Sequence, residues 1–199
     1  MAVVTGTFEE EVAADNPYRW FRFQESSGNN RHGSLIGSPS RVSGPVDWAI
    51  SLSGSSQAVN GNITALGANI AAATFEITIA TTDTRQQRYW AGYTRSTPPR
   101  FAILQNDDAA NQQTLHLEYR SSQNVTRRHI FNVAGANLWN GEWHHVVFVT
   151  NFASNQASLY IDGSLRGAVV SESDSGSFGA WTASPCIGAR IITHYHTLP

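Results

Sequence analysis

Trp143-His-His-Val-Val-Phe-Val-Thr150, followed by Ala157-Ser-Leu-Tyr-Ile161 and then Asp162-Gly163, is the stretch that decides the fold. Its first part carries apolar residues on both parities, Val147 and Val149 on one face and Val146 and Phe148 on the other. That pattern predicts a strand buried on both sides. Ala157, Leu159 and Ile161 alternate along a second strand. Asp162-Gly163 is a pair favoured at the centre of a type I′ hairpin turn, where both residues need positive φ. Leu165 to Val170 is the expected returning strand.

The same two-residue period continues outward. Phe75, Ile77 and Ile79 alternate with Thr74, Glu76 and Thr78, and Leu115, Leu117 and Tyr119 repeat the pattern. Tyr18-Arg-Trp-Phe-Arg-Phe-Gln24 is aromatic and strand-prone. Roughly ten to twelve short strands, separated by Gly, Asn, Ser or Pro clusters, predict an all-β sandwich or jelly roll. The longest irregular stretches are expected at 54–73, 94–99, 105–112 and 171–185. Residues 1–17 differ: Thr7 and Glu10 have capping-box spacing, and Asp15-Asn-Pro17 stops the segment. They read as a short N-terminal arm or acidic helix, serving anchoring or oligomerisation, ahead of a domain spanning 18–199.

The 199 residues suit one large domain with such an arm, and 41% apolar residues suffice for a core. Only 14% are charged, against about 25% in ordinary domains. The formal net charge of −2 argues against nucleic-acid partners and anionic membranes. Every basic residue other than histidine is Arg. Cys186 is the single cysteine, so an intrachain disulfide and a Cys-based metal cluster are excluded. No apolar run approaches the ~20 residues of a membrane helix, so membrane insertion is not expected. Met1-Ala-Val-Val-Thr-Gly6 lacks the basic start and apolar stretch of a secretory leader, which disfavours classical secretion.

Three segments together resemble the laminin-G-like, concanavalin A-like jelly-roll family. They are Asp15 to Gly28 with His32-Gly-Ser-Leu35; Trp48-Ala-Ile-Ser-Leu-Ser-Gly54 with Phe75-Glu-Ile-Thr-Ile79; and Asn140-Gly-Glu-Trp-His-His-Val-Val-Phe-Val-Thr150 with Leu159-Tyr-Ile-Asp-Gly163 and Ile187-Gly-Ala-Arg190. The resemblance runs from about Asp15 to Arg190. It implies a two-sheet antiparallel jelly-roll sandwich of about six strands per sheet, with ligand loops at the rim. Only Ile191 to Pro199 remain for the family's closing strand, so either they form a shortened one or the edge near Tyr18–Gln24 stays open, an edge that another chain would cover.

Glycosidases of this fold place carboxylates at alternate positions of one strand. No Glu-x-Asp-x-Glu pattern occurs here, and Glu76, Glu118 and Glu142 are isolated from one another in sequence. Neither a Gly-x-Ser-x-Gly nucleophile motif nor a phosphate-binding Gly loop is present. The chain is therefore expected to be non-enzymatic. His144 and His145 read as structural hydrogen-bonding groups near a sheet edge. His194 and His196 could share a strand face but lack a nearby third ligand. No cofactor is expected except, through the resemblance, calcium, for which Asn106, Asp107 and Asp108 form the best oxygen cluster. Trp20, Trp48, Trp139 and Trp143 are assigned to the core. Trp90, Tyr93 and Trp181 sit nearer loops, and with Arg95 and Arg100 form a candidate polar-aromatic ligand surface.

The arm leading through Ala14-Asp-Asn-Pro17 into an aromatic strand resembles the openings of laminin-G-like domains in bacteriophage virion proteins. The implied function is a virion-associated accessory protein, a capsid decoration or a tail or fibre component. It would be made without a signal peptide, homo-oligomeric, and held by protein partners in a larger assembly, with surface adhesion as a further role. The alternative is an extracellular lectin-like domain that binds a cell-surface glycan through rim loops, with or without calcium.

Overall fold

The computed structural model describes residues 21–22, 24–25, 34–45, 48–52, 57–60, 71–83, 88–94, 97–105, 114–120, 126–166, 168–171 and 186–187. The arm at 1–17 and the segment from Ile191 onward lie outside them. The described chain is built of antiparallel strands and one 3-10 turn at Ala134–Ala136, with no helix long or apolar enough to cross a membrane. The strands are β1 (Phe21–Arg22), β2 (Gln24–Glu25), β3 (Ser34–Ile36), β4 (Ser40–Ser43), β5 (Trp48–Ser51), β6 (Ala58–Asn60), β7 (Ala72–Ile79) and β8 (Arg88–Thr94). They continue as β9 (Thr97–Gln105), β10 (Thr114–Arg120), β11 (Thr126–Asn132), β12 (His144–Asn151), β13 (Gln156–Ile161), β14 (Ser164–Arg166), β15 (Ala168–Ser171) and β16 (Cys186–Ile187). Many are only two to four residues long, so the sequence estimate of ten to twelve falls short.

Two sheets dominate. The larger has eight strands in the order β15-β11-β10-β9-β8-β16-β6-β3, and the smaller has four in the order β14-β13-β12-β7. The hairpin β4–β5 and the pair β1–β2 stand apart from both. Alternation fixes what each sheet buries. Leu115, Leu117 and Tyr119 of β10 and Phe131 of β11 share a core with Phe75 and Ile79 of β7, Val146 and Phe148 of β12, and Leu159 and Ile161 of β13. Phe131 and Phe148 cross between the sheets edge to face, ring centres 5.7 Å apart. Each such fully buried side chain contributes about 1.5–3 kcal/mol, so this shared layer defines the sandwich.

The core has one polar seam. Tyr119 Oη donates to Asn155 Oδ1 at 2.8 Å, and the same tyrosine stacks on buried His129 and packs edge-on against Phe152. Asn155 lies in the β12–β13 turn at φ 53, a left-handed conformation that asparagine tolerates well. The seam therefore staples a turn of the small sheet to the large sheet. Burial pushes the His129 imidazole below its ordinary pKa, and its bond to Asn155 partly offsets this.

Four sequence expectations need correction. β12 is buried on one side only, since Val149 keeps 43% of its surface exposed. Leu165 to Val170 is not one returning strand: β14 pairs with β13 in the small sheet, whereas β15 pairs with β11 in the large one. The chain changes sheets between Arg166 and Ala168. The irregular stretch 94–99 is mostly strand, with Thr94 opposite Thr97 and the register stepping between Gly92 and Thr94. That step accommodates Pro98 and Pro99, which have no N–H for a regular ladder. Trp143 is not core either, being 37% exposed just before β12, while Trp139 packs against the core's margin.

Candidate functional site

The motif around His144 is a structural lock. Asp162 and Gly163 take φ 50 and φ 75 in a two-residue turn closed by the Ile161–Ser164 pair, as the type I′ reading requires. That turn aims the Asp162 carboxylate back at the start of β12. His144 Nδ1–H donates to Asp162 Oδ2 at 2.7 Å, and the His145 backbone N–H donates to Oδ1 at 2.9 Å. The other ring nitrogen of His144 lies 3.1 Å from Asn140 Oδ1, which also accepts the Glu142 backbone N–H at 2.8 Å. Burial raises the Asp162 pKa, but the bonds from His144 and the His145 backbone together hold it below its usual value.

His145, one residue on, points to the outer face of the small sheet. Its Nε2–H donates to Glu76 Oε1 at 2.7 Å. That bond raises the His145 pKa and lowers that of Glu76, against the opposing effect of partial burial on each. Both histidines are thus held by carboxylates, and their role is to fix β12 against β7 and β13. Among the described residues no group of three or more His, Cys, Asp and Glu side chains could hold a metal ion.

The outer face of the large sheet is different in kind. On β10 the residues alternating with the core positions are Thr114, His116, Glu118 and Arg120. Register extends each into a row. Arg120 lies opposite Arg100 on β9 and Thr126 on β11; Glu118 lies opposite Ala102 and Arg128; His116 lies opposite Leu104 and Ile130. Arg128 donates through Nη2 and Nε to the same Glu118 oxygen, at 2.9 and 3.3 Å. His116, bonded to the Thr114 hydroxyl at 3.1 Å, is only 4% exposed, whereas the Arg128 side chain keeps 35%. The face is closed around His116 and more open at Arg128.

The proposed ligand residues divide by position. Arg100, opposite Arg120, takes a register position on the outer face, whereas Tyr93 falls at the register step between Gly92 and Thr94, which assigns it to neither face. Trp90 lies opposite Ile103, which lies opposite Leu117, so its register position is on the core side. Arg95 and Trp181 lie outside the described residues, as do Asn106, Asp107 and Asp108. Sequence reading missed Arg120, Arg128 and Glu118 as parts of this face. The polar alternation Thr114-His-Glu-Arg120 was the available signal.

A lectin-type sandwich with an ion pair and a buried histidine on the outer face of its large sheet is thus the class that the fold and site define. The family model of the concanavalin A-like lectin/glucanases superfamily matches residues 52–194, and the chain belongs to that family. Among solved structures it is similar to the receptor binding domain of botulinum neurotoxin C/D mosaic serotype, with 16% identity and a TM-score of 0.57 over 83% of this chain and 40% of that one. It is also similar to the binding domain of Paraclostridial Mosquitocidal Protein 1, with 15% identity and a TM-score of 0.57 over 83% and 41% of the two chains. The binding domain of botulinum neurotoxin serotype G matches at 9% identity and a TM-score of 0.56 over 83% and 40%. The chain spans about two fifths of the length of each of these structures. No curated protein matches it.

Proposed function

We propose that this chain is a non-catalytic binding module that presents the outer face of its large sheet to a glycan. The observation that carries the reading is the contrast across β10: Leu115, Leu117 and Tyr119 are sealed in the core, while on the opposite face Glu118 pairs with a partly exposed Arg128 on a rigid strand. Sites built on strands hold such groups more firmly than loops do. Among the described residues, four carboxylates are engaged by partners. Glu118 is bound by Arg128, Glu76 by His145, Glu142 by Asn140 and Asp162 by His144. The name of the binding domain from Paraclostridial Mosquitocidal Protein 1 and those of the neurotoxin domains are compatible with this reading, although at their identities the likeness concerns the fold alone.

The experiment is a glycan array probed with the purified chain, with and without a chelator. Binding is expected to be lost in Ala102→Trp, which places bulk in the middle of the outer face, and kept in Val149→Trp on the small sheet. Equal loss in both, or none in either, overturns the assignment of the face. Loss on chelation assigns calcium a part, with Asn106, Asp107 and Asp108 the residues to substitute next.

The module serves a larger assembly in this reading, a virion carrying it as a capsid decoration or a tail or fibre component. The resemblance of the Ala14-Asp-Asn-Pro17 lead supports this. Deleting residues 1–16 is expected to abolish attachment to the particle while leaving thermal unfolding nearly unchanged. Light scattering of the free chain is expected to report a homo-oligomer. A domain that melts on deletion overturns the division at residue 17.

A further inference from the structure

We propose that the outer face of the small sheet docks a second copy of this chain, sheet against sheet across a two-fold axis, through Val147, Val149, Tyr160 and Leu165. The proposal rests on the homo-oligomeric reading above and places its contact on the side of the sandwich away from the glycan face.

Register sets the apolar residues of this face side by side. Leu165 of β14 lies opposite Tyr160 of β13, Tyr160 opposite Val147 of β12, and Val147 opposite Glu76 of β7. Val149 lies one row further on, between Ser158 and Thr74. Four apolar side chains therefore adjoin one another across three strands, and two of them are open: Leu165 is 62% exposed and Val149 43%. Val147 and Tyr160 between them are half-buried. Single apolar residues are ordinary on a protein surface, whereas a contiguous patch marks a place of contact.

The charges of the face favour a copy of itself over other partners. Its outer positions hold one carboxylate, Glu76, bonded to His145 at 2.7 Å. Arg166, the only Arg of the four strands, takes the core-side parity opposite Leu159. A charged partner finds no unmatched charge to hold it there, while two copies meet without repulsion. Ser158 and Thr74 flank Val149 with small side chains, which leaves room for an apolar group of the facing copy. Sheets stacked face to face interdigitate in this way at a spacing of about 10 Å, and an isologous contact supplies the same patch from both sides. The eight residues of β12 and the four strands of the sheet give a footprint of about 500 Å² per copy, at about 3.3 Å per residue and about 4.8 Å per strand. Two copies bury about 1,000 Å², the lower limit for a specific interface, so the dimer dissociates on dilution.

The test is light scattering after size exclusion, on the full chain, over a wide range of concentrations and at low and high salt. The parent is expected to pass from monomer to dimer as concentration rises, and high salt is expected to leave the dimer intact because the contact is apolar. Val149→Glu and Leu165→Glu are each expected to weaken the dimer by about tenfold or more, since each sets an unpaired charge in the contact. Leu35→Glu, at a comparably exposed apolar position (48%) on β3 of the large sheet, is expected to leave it unchanged. Thermal melts of the variants are expected to stay near the parent's, and Leu165→Glu, at the more open position, carries the test if Val149→Glu unfolds. A monomer at every concentration overturns both the homo-oligomeric reading and this contact. A dimer retained in the folded variants, or weakened equally by Leu35→Glu, keeps the oligomer and overturns the face. A trimer overturns the two-fold contact, and glycan-array signal lost in Leu165→Glu with the dimer intact gives the face to a sugar instead.

Discussion

The two sheets turn different outer faces to their surroundings. On the small sheet Glu76 is matched to His145 on the outer face, with Val149 bare beside them, and Asp162 is matched to the buried His144 at the start of β12. On the large sheet one carboxylate is set among several arginines, and two of those arginines stand opposite each other. The same pleated geometry serves as scaffold in the small sheet and, in the function proposed above, as receptor in the large one.

Because both faces depend on the core between them, the largest expected effect removes both together. Phe148→Ala takes away the small-sheet partner of Phe131 and is expected to cost about 3–5 kcal/mol, read by denaturant unfolding. A cost below 1 kcal/mol would mean that the sheets do not rely on each other. Asp162→Ala tests the self-matched side: it strands His144 and the His145 N–H and leaves a non-glycine residue at positive φ. A loss of about 1–3 kcal/mol is expected, with Asp162→Asn milder because asparagine tolerates that φ.

Glu118→Gln sharpens the other side. Its half-exposed pair with Arg128 contributes no more than about 1 kcal/mol to stability, so the melt should barely move. Glycan binding is expected to fall severalfold as Arg128 loses the carboxylate that holds it, and unchanged binding would take the Glu118–Arg128 pair off the ligand face.

The smallest effect concerns pH. Glu76, whose folded pKa is depressed, stabilises above its unfolded value of 4.5, and this is lost as pH falls through the folded value. His145, whose pKa is raised, stabilises below 6.5, and this is lost as pH rises through the folded value. The pair therefore works from about pH 4.5 to somewhat above 6.5, and is worth a few tenths of a kcal/mol because both groups are exposed. Comparing His145→Gln with the parent across that range isolates it from His129, whose lowered pKa acts in the opposite sense as pH falls.

The small sheet was the more legible in sequence. The alternation in β7, β12 and β13 and the Asp162-Gly163 turn are local signals, and each maps onto the observed pairing. What escaped depends on partners distant in the chain. Nothing in Leu165 to Val170 says that its two halves bond to different sheets. Val149 looked buried because an apolar residue in a strand resembles a core position, yet much protein surface is apolar. In the large sheet Tyr93 and Arg100 stood out by residue type near predicted loops. Arg120 and Arg128 did not, since only register reveals that they share a face with Arg100.

The pairing of β7 with β12 joins residues 72–79 to residues 144–151, and the central strands of the large sheet lie between them in the chain. During synthesis β7 leaves the ribosome long before its partner and must wait, with Phe75, Ile77 and Ile79 uncovered, while the intervening meander is made. Such waiting strands invite association with other nascent chains, and Glu76, with Thr74 and Thr78 on the opposite parity, gives this one a soluble side until β12 arrives. The large sheet closes later still, because β16, which bridges β8 and β6, follows every strand of the small sheet in the chain.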